Sequence, residues 1–435
     1  MPVNTSVLVE KLSDVVNHGE EETFLRQMQE GVIAEEDAAS EKSVLREGEG
    51  EDTQLKNKSL LGKIKRSLFR SGSRKSITHS KKEEEEIKAL VAACRSPCAA
   101  PEGGWANQNP EHAKRGRSVL SQLVRQLGSS LLRGQNIMNV SVPVACCQPR
   151  SALQVGADAA CLAHVFLSQA ARATDPLLRL QYVMAGAVGA LSLTADAFLK
   201  PLNPLLGETL QLDFEDGSKF YMEQTSHHPP VLSFLHDGPG GVWRVGGHQQ
   251  GSVAFGLNKL FFTSIGAYSV WFPDGTCIKY DFPVDRVLNV FWGCMVHEVV
   301  GEQRFEDAKH SLRGKLLFDN PRGLKGVPSD WFEGQIERYD PDNPEAEGQV
   351  VSRVRGSWCG FCDIDGQRLW SLPRDRPMRH TRPAVTLPSD SHNRPDLQSL
   401  AVGDVKTAQA EKLALEGVQR AEAQLRQKQG APRAA

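Results

Sequence analysis

Glu223-Gln224-Thr225-Ser226-His227-His228-Pro229-Pro230 closes a strand-like run, Lys219-Phe220-Tyr221-Met222. The two prolines fix φ and remove two N–H donors, so the strand has to stop there and present both imidazoles at its end. Adjacent imidazoles can donate hydrogen bonds or take up protons, and such a pair suits a phosphate. After Pro201, runs with strand character recur, separated by Gly, Asp and Asn turns: 209–214, 220–224, 231–235, 241–245, 251–255, 267–272, 276–282, 288–292, 314–317, 331–338 and 350–358. Many short strands at this spacing predict a large antiparallel sheet or barrel.

Helical signals flank these runs. Leu120, Leu123, Leu127 and Leu131 mark one amphipathic helix. Residues 140–144 read as a short strand, followed by helices over 152–172 and 176–199; Asp175 as N-cap and Pro176 at the first helical position open the second. A last helix, 404–428, is capped by Asp404 and rich in Ala, Glu, Gln, Lys and Leu. The most apolar stretch, 177–199, contains Arg179, Gln181 and Asp196, and its uncharged part, 180–195, falls short of the ~20 residues that cross a bilayer. No membrane span is expected.

Charge divides the chain. The first 55 residues carry 14 Asp or Glu against 4 Lys or Arg. From Lys56 to Lys82 the sign reverses, with ten basic residues and no acid, and Glu83 to Glu86 follow. Blocks of this kind bury too little apolar surface to offset ordering entropy, so residues 1–115 are expected to be mostly disordered and 116–435 to fold. Within 56–82, Leu61, Ile64 and Leu68 sit at helical spacing among the cations. That segment fits an anionic membrane surface, and equally a solvated basic tail or a nuclear-localisation patch. The whole chain has a net charge of −2, which implies no global attraction to nucleic acid.

Nine cysteines at irregular spacing, with an acidic rather than signal-like residue 1–30 stretch, point to reduced thiols in the cytosol. Cys359-Gly360-Phe361-Cys362 lacks the second pair that a zinc site would need and reads as structural. Catalysis by the histidine pair has little support. Neighbouring side chains on a strand face opposite ways, and no HExxH, GxSxG or P-loop pattern accompanies them.

Two motifs together carry a stronger reading. Lys200-Pro201-Leu202-Asn203-Pro204-Leu205-Leu206-Gly207-Glu208, followed fifteen residues later by Glu223–Pro230, resembles the signature of the oxysterol-binding-protein-related family, with Thr225 where the family typically has Val. The resemblance runs from about residue 118 to 428. It includes Gln148-Pro149-Arg150-Ser151, an eroded Ser389–Asp396 run, and Lys412, Glu416 and Arg420 at i, i+4 and i+8. It implies an α+β fold: an incomplete antiparallel β-barrel around an apolar lipid tunnel, with N-terminal lid and helices and a C-terminal helix. The helix around Leu120–Leu131 is the lid candidate, or else an ordinary packing helix.

The resemblance further implies a lipid-transfer protein, not an enzyme, with no cofactor and no metal. Its cargoes are phosphatidylinositol 4-phosphate and a second lipid, sterol or phosphatidylserine, exchanged between membranes; a sensor or scaffold with little net transfer is the alternative. His227, His228 and Arg420 are expected at the 4-phosphate. Lys200, Asn203, the Leu202 backbone and Lys412 are expected at the glycerol-linked phosphate and head group, with Glu416 aligning the cations. Without a recognisable pleckstrin-homology-like domain, the chain resembles a short form that is cytoplasmic and transiently bound to anionic membranes. Residue chemistry agrees with these roles. Positions 412, 416 and 420 drift only about 40° per step around a helix and so form one stripe. Arg supplies a planar fork for phosphate oxygens and Lys a point charge. Exposing two chains of ~16 CH₂ groups at ~0.8 kcal/mol each would cost on the order of 25 kcal/mol, so a carrier needs an apolar hollow.

Overall fold

The computed structural model describes residues 81–127, 141–256, 258–344 and 346–428. The basic segment 56–82 therefore lies outside the described residues except for Lys81 and Lys82, as do Leu131 and Val140.

Residues 81–115, expected to be part of a disordered leader, are instead folded onto the body. Helix α1 (Lys81–Cys94) buries Ile87 and Val91 against Leu324, Val327, Trp331 and Phe361. Arg95 then pairs with buried Asp330 at 2.7 Å, and β1 (Trp105–Ala106) adds a short antiparallel rung to the sheet. Its charge blocks concealed one apolar stripe, Ile87 and Val91, at i, i+4 spacing. Helix α2 (Pro110–Leu127) follows and covers most of the lid candidate.

Residues 141–143 are irregular and Val144–Cys146 forms a 3₁₀ turn, so the strand expected at 140–144 is absent from its described part. Strand β2 (Cys147–Ser151) comes next. The helix expected at 152–172 is broken into α3 (Ala152–Gly156) and α4 (Ala163–Arg172) by a 3₁₀ turn at Ala157–Leu162. Helix α5 (Pro176–Thr194) begins as expected, with Asp175 accepting from Leu177 N at 3.0 Å, but ends five residues early. The chain then has to extend into β3 (Lys200–Leu202), which pairs in parallel with β2.

By length and composition α5 is apolar enough to cross a membrane. Its apolar side chains are instead spent on the interior: Leu180, Met184 and Val188 are fully buried, and Arg179 is tied to Asp274 at 2.5 Å. Strand β13 (Leu312–Leu317) meets α5 at Gly314, where a Cβ would stand 2.6 Å from the Met184 sulfur. Helix and sheet touch there because the glycine has no side chain.

The sheet is antiparallel, has 16 strands and does not close. Its walk runs β4 (Thr209–Phe214), β5 (Lys219–His227), β6 (Pro230–Asp237), β7 (Arg244–Gly256), β8 (Lys259–Trp271) and β9 (Cys277–Tyr280). β10 (Val284–Leu288) and β11 (Val296–Val300) branch from β8, and β11 carries β1. From β9 the walk continues through β12 (Glu302–Asp307), β13 (Leu312–Leu317), β14 (Trp331–Arg338), β15 (Gln349–Ser357), β16 (Phe361–Ile364) and β17 (Gln367–Ser371). β18 (His380–Thr381) forms the other edge, on β4. Period-2 burial is plain in β4, where Leu210, Leu212 and Phe214 point inward.

Of two expected strands, 251–255 lies within β7, whereas 241–245 gives it only residues 244 and 245 because Pro239–Gly241 forms a 3₁₀ turn. The Gly246-Gly247 pair between them lies inside the ladder, where a Cβ on Gly247 would come within 2.3 Å of Ala267 O. The strand expected at 288–292 is a loop: Asn289 has φ +60°, and Asn258 Oδ1 accepts Phe291 N at 2.8 Å. The C-terminal helix forms over the expected residues as α7 (Val405–Lys428), with Asp404 accepting from Thr407 N at 3.0 Å, and a short α6 (Pro395–Ala401) precedes it. Cys359 and Cys362 are fully buried and burial pushes both thiols up, so they are packed, protonated side chains.

Candidate functional site: a cation cluster beside an apolar cavity

β5 is the element that links the two halves of the site. Phe220, Met222 and Gln224 alternate inward, then a bulge between Gln224 and Ser226 breaks the register. The Gln224 amide donates to Ser226 O at 2.8 Å and holds the bulge. Bulges re-aim side chains, and this one delivers His227 and His228 to the strand's end, with their rings 4.6 Å apart and nearly perpendicular. His227 Nδ1 is buried and makes no hydrogen bond. Burial pulls the His227 pKa down and the His228 charge acts with it, while Glu416 opposes both. Nδ1 is a site that a ligand could satisfy, since a buried polar atom without a partner is costly.

Lys200 sits at the start of β3 and donates to Asn203 Oδ1 and, at 3.3 Å, to Pro201 O. Burial lowers its pKa, the charges of Lys412 and Arg394 act the same way, and Glu416 resists. Leu202 turns its side chain into the interior, so any head-group contact from it falls to its backbone.

α7 supplies the other cations. It docks through fully buried Ala408 and through Gln409 Oε1, which accepts Val144 N at 2.8 Å. Its register brings buried Lys412 onto Glu416 Oε1 at 2.5 Å and Ser141 Oγ at 2.6 Å. Ser141 Oγ in turn donates to Glu416 Oε1 at 2.9 Å, and Arg420 Nη1 lies 3.7 Å from Glu416 Oε2. Burial raises the Glu416 pKa, but the Lys412 and Ser141 hydrogen bonds and the Arg420 charge outweigh it and hold the group ionised. Lys200, His227, Lys412, Glu416 and Arg420 thus belong to one electrostatic neighbourhood, with His228 adjoining through His227 and Asn203 through Lys200.

Beneath this cluster is a buried framework that the sequence motifs contain without revealing its pairing. Glu208 accepts from Ser151 Oγ at 2.5 Å, Ser391 Oγ at 2.7 Å, Leu205 N at 2.9 Å and Arg394 Nη1 at 2.7 Å. Arg394 also donates to Asn203 O at 2.8 Å and pairs with Asp396 at 2.7 Å. The Lys200–Asn203 segment is held from below by Ser391 and Arg394, nearly two hundred residues away. Ser141, which bridges Lys412 and Glu416, had no sequence signal at all.

A cavity of about 320 Å³ lies between α3–α5 and the inner face of β5–β9. Val183, Gly186, Ala187 and Ala190 of α5 line it at helical spacing, opposite Phe220, Met222, Phe234 and Tyr268. None of the eight head-group candidates lines it; β5 runs from its wall to His227. A few polar groups face it, among them Gln249, which accepts from Tyr268 Oη at 3.0 Å and donates to Ser264 Oγ at 2.5 Å. Among the described residues no group of His, Cys, Asp and Glu has the arrangement of a metal site.

A family model described as oxysterol-binding protein matches residues 128–434. The chain belongs to that family. It is 31% identical over 338 residues to oxysterol-binding protein 9 of Dictyostelium discoideum, covering 73% of this chain and 78% of that one. It spans only 40% of the longer oxysterol-binding protein-related protein 1C of Arabidopsis thaliana, at 27% identity over 69% of this chain. The fold matches the Osh1 ORD domain in complex with ergosterol, with a TM-score of 0.61, 21% identity, and 81% and 90% of the two chains covered. It also matches the Osh3 ORD of Saccharomyces cerevisiae in complex with PI(4)P, with a TM-score of 0.58, 23% identity, and 77% and 88% covered. Membership of the oxysterol-binding protein family and the open antiparallel sheet agree with the sequence reading.

Proposed function

We propose that this oxysterol-binding-protein family member is a lipid-transfer protein. It binds phosphatidylinositol 4-phosphate through the cluster at the end of β5 and carries a second lipid in the adjoining cavity. The observation that carries this reading is convergence: Lys200, the His227–His228 pair, Lys412 and Arg420 come from three elements to one place, at the end of the strand that walls an apolar hollow. His227, His228 and Arg420 would take the monoester phosphate, and Lys200, Asn203 and Lys412 the glycerol-linked one. The solved relatives holding ergosterol and PI(4)P support both cargo classes.

The second lipid is a sterol in this reading. A cavity of about 320 Å³ is at the small end of the roughly 300–1,000 Å³ of ligand pockets, and the solved relative holding ergosterol supports one compact rigid molecule in it. Eight described cysteines are free thiols, which supports work in a reducing compartment. Replacing His227 and His228 together by Ala should abolish phosphoinositide extraction from vesicles and spare sterol uptake. Undiminished phosphoinositide extraction by the double variant would refute the head-group assignment. Uptake of both lipids without net transfer between two vesicle populations would make the protein a sensor instead.

A further inference from the structure

Among the described residues six large apolar side chains are more than half exposed, and all six lie within residues 385–425. The two most exposed are Val385, at 85%, and Val402, at 83%. Single exposed apolar residues are ordinary on a protein surface; a set confined to one stretch of chain marks an interaction site.

The loop that carries Val385 and Leu387 is held in place. Arg382 donates to Thr386 Oγ1 at 2.7 Å and to Asn393 Oδ1 at 2.6 Å, Asn393 donates back to Leu387 O at 3.0 Å, and Leu387 N donates to Gln211 Oε1 at 2.8 Å. The backbone is fixed while both apolar side chains are left in solvent. The loop also belongs to the charged end of the protein, since Ser389 O accepts Thr209 N at 2.9 Å and Ser391 bonds Glu208 beneath the Lys200–Asn203 segment. Val402 stands at the corner between α6 and α7, closed by Gly403 N on Leu400 O at 3.0 Å and by Ser399 Oγ on Glu411 at 2.6 Å. Residues 376–389 hold Arg376, Arg379 and Arg382 and no acid.

We propose that the 383–388 loop and the Val402 corner are a wedge that enters the interface of an anionic lipid bilayer and seats the charged end of the protein on it. The inference rests on the lipid-carrier reading above, in which that end has to face a membrane. Val385 and Val402 stand out from the surface on separate segments instead of lining a groove, which suits a fluid layer that closes around each one. The acid-free arginines supply the attraction to anionic lipid, worth about 1 kcal/mol for each cation near the surface.

The test uses the full chain and flotation with vesicles of phosphatidylcholine alone, or of phosphatidylcholine and phosphatidylserine in equal parts. The wild type should favour the second. Val385→Ser with Leu387→Ser should weaken binding to it about tenfold, and adding Val402→Ser should weaken it further, because apolar side chains leave the interface. Val385→Trp should strengthen it, since indole favours the head-group level. Arg376→Glu with Arg379→Glu should remove the preference for phosphatidylserine. Soluble inositol 4-phosphate should bind every variant as it binds the wild type, because none of these residues belongs to the cation cluster. Vesicle binding that is unchanged across the serine and tryptophan variants overturns the wedge and gives the surface to a protein partner. A wild type that floats with neither vesicle also overturns it. A wild type that binds no inositol 4-phosphate refutes the carrier reading instead, and flotation that still follows Val385, Leu387 and Val402 then upholds the wedge alone.

Discussion

His236 and His297 are both buried, and their surroundings push their protonation in opposite directions. His236 stacks on Phe214 at 5.0 Å, meets Trp243 edge-on at 4.9 Å and hydrogen-bonds Ser218 Oγ at 3.1 Å. Burial pulls its pKa to about 4, despite Asp216 and Asp237 acting the other way. In the unfolded chain it titrates near ~6.5, so between those values the unfolded state holds a proton that the folded state refuses. Stability falls as pH drops through that window, by about 3 kcal/mol at its lower end. Burial also opposes charge on His297, but Asp285 at 2.9 Å and the carbonyl of Ala195 at 3.1 Å outweigh it and raise its pKa. That contribution is complete below the unfolded value and is lost as pH rises through the folded one. Urea unfolding of His236→Gln should show the acid limb flattened and the alkaline limb kept. An acid limb as steep as the wild type's would remove His236 as its cause.

At the scale of elements, the turn that presents Lys200 and Asn203 depends on one buried carboxylate, Glu208, 3% exposed and shared by Arg394, Ser151, Ser391 and Leu205 N. Removing one partner of such a pair leaves the other charge buried and unpaired, at a cost of about 3–5 kcal/mol. Glu208→Ala should lose that much in urea unfolding, and a loss below ~1 kcal/mol would show that Arg394 finds another partner. This framework also shows where sequence reading stops. Alternation in 209–214 and the Asp175-Pro176 start of α5 were legible because propensity and capping act over a few residues. Gly246-Gly247 misled because a glycine demanded by the neighbouring strand looks the same as a glycine that makes a turn. The site was legible as two motifs and a stripe, since each is local. The Glu208–Arg394 pairing and the Ser141 bridge were not, because no pattern within one segment encodes a partner in another.

The whole molecule is a division of labour between a charged end and a hollow interior, and α5 decides the hollow. One face of the helix, Leu180, Met184 and Val188, is fully buried against the fold. Another, with Ala187 and Ala190, faces the cavity with almost no side chain, while Gly186 beside them is closed over by Phe166, whose Cβ a side chain there would meet at 2.9 Å. The space exists because Ala187 and Ala190 are small, so its volume should be set by a single side chain. Ala190→Phe should fill the hollow from the helix side and reduce sterol uptake at least ~10-fold, at a stability change of about 1–3 kcal/mol from crowding. Its head-group cluster, on other elements, should bind soluble inositol 4-phosphate as the wild type does. Vesicle extraction of a fluorescent sterol, set beside calorimetry with the soluble head group, separates the two functions. Sterol uptake that survives in a folded Ala190→Phe would mean that the sterol is held somewhere other than this cavity. Loss of both ligands together would mean that hollow and charged end act as one cooperative unit rather than two parts joined by β5.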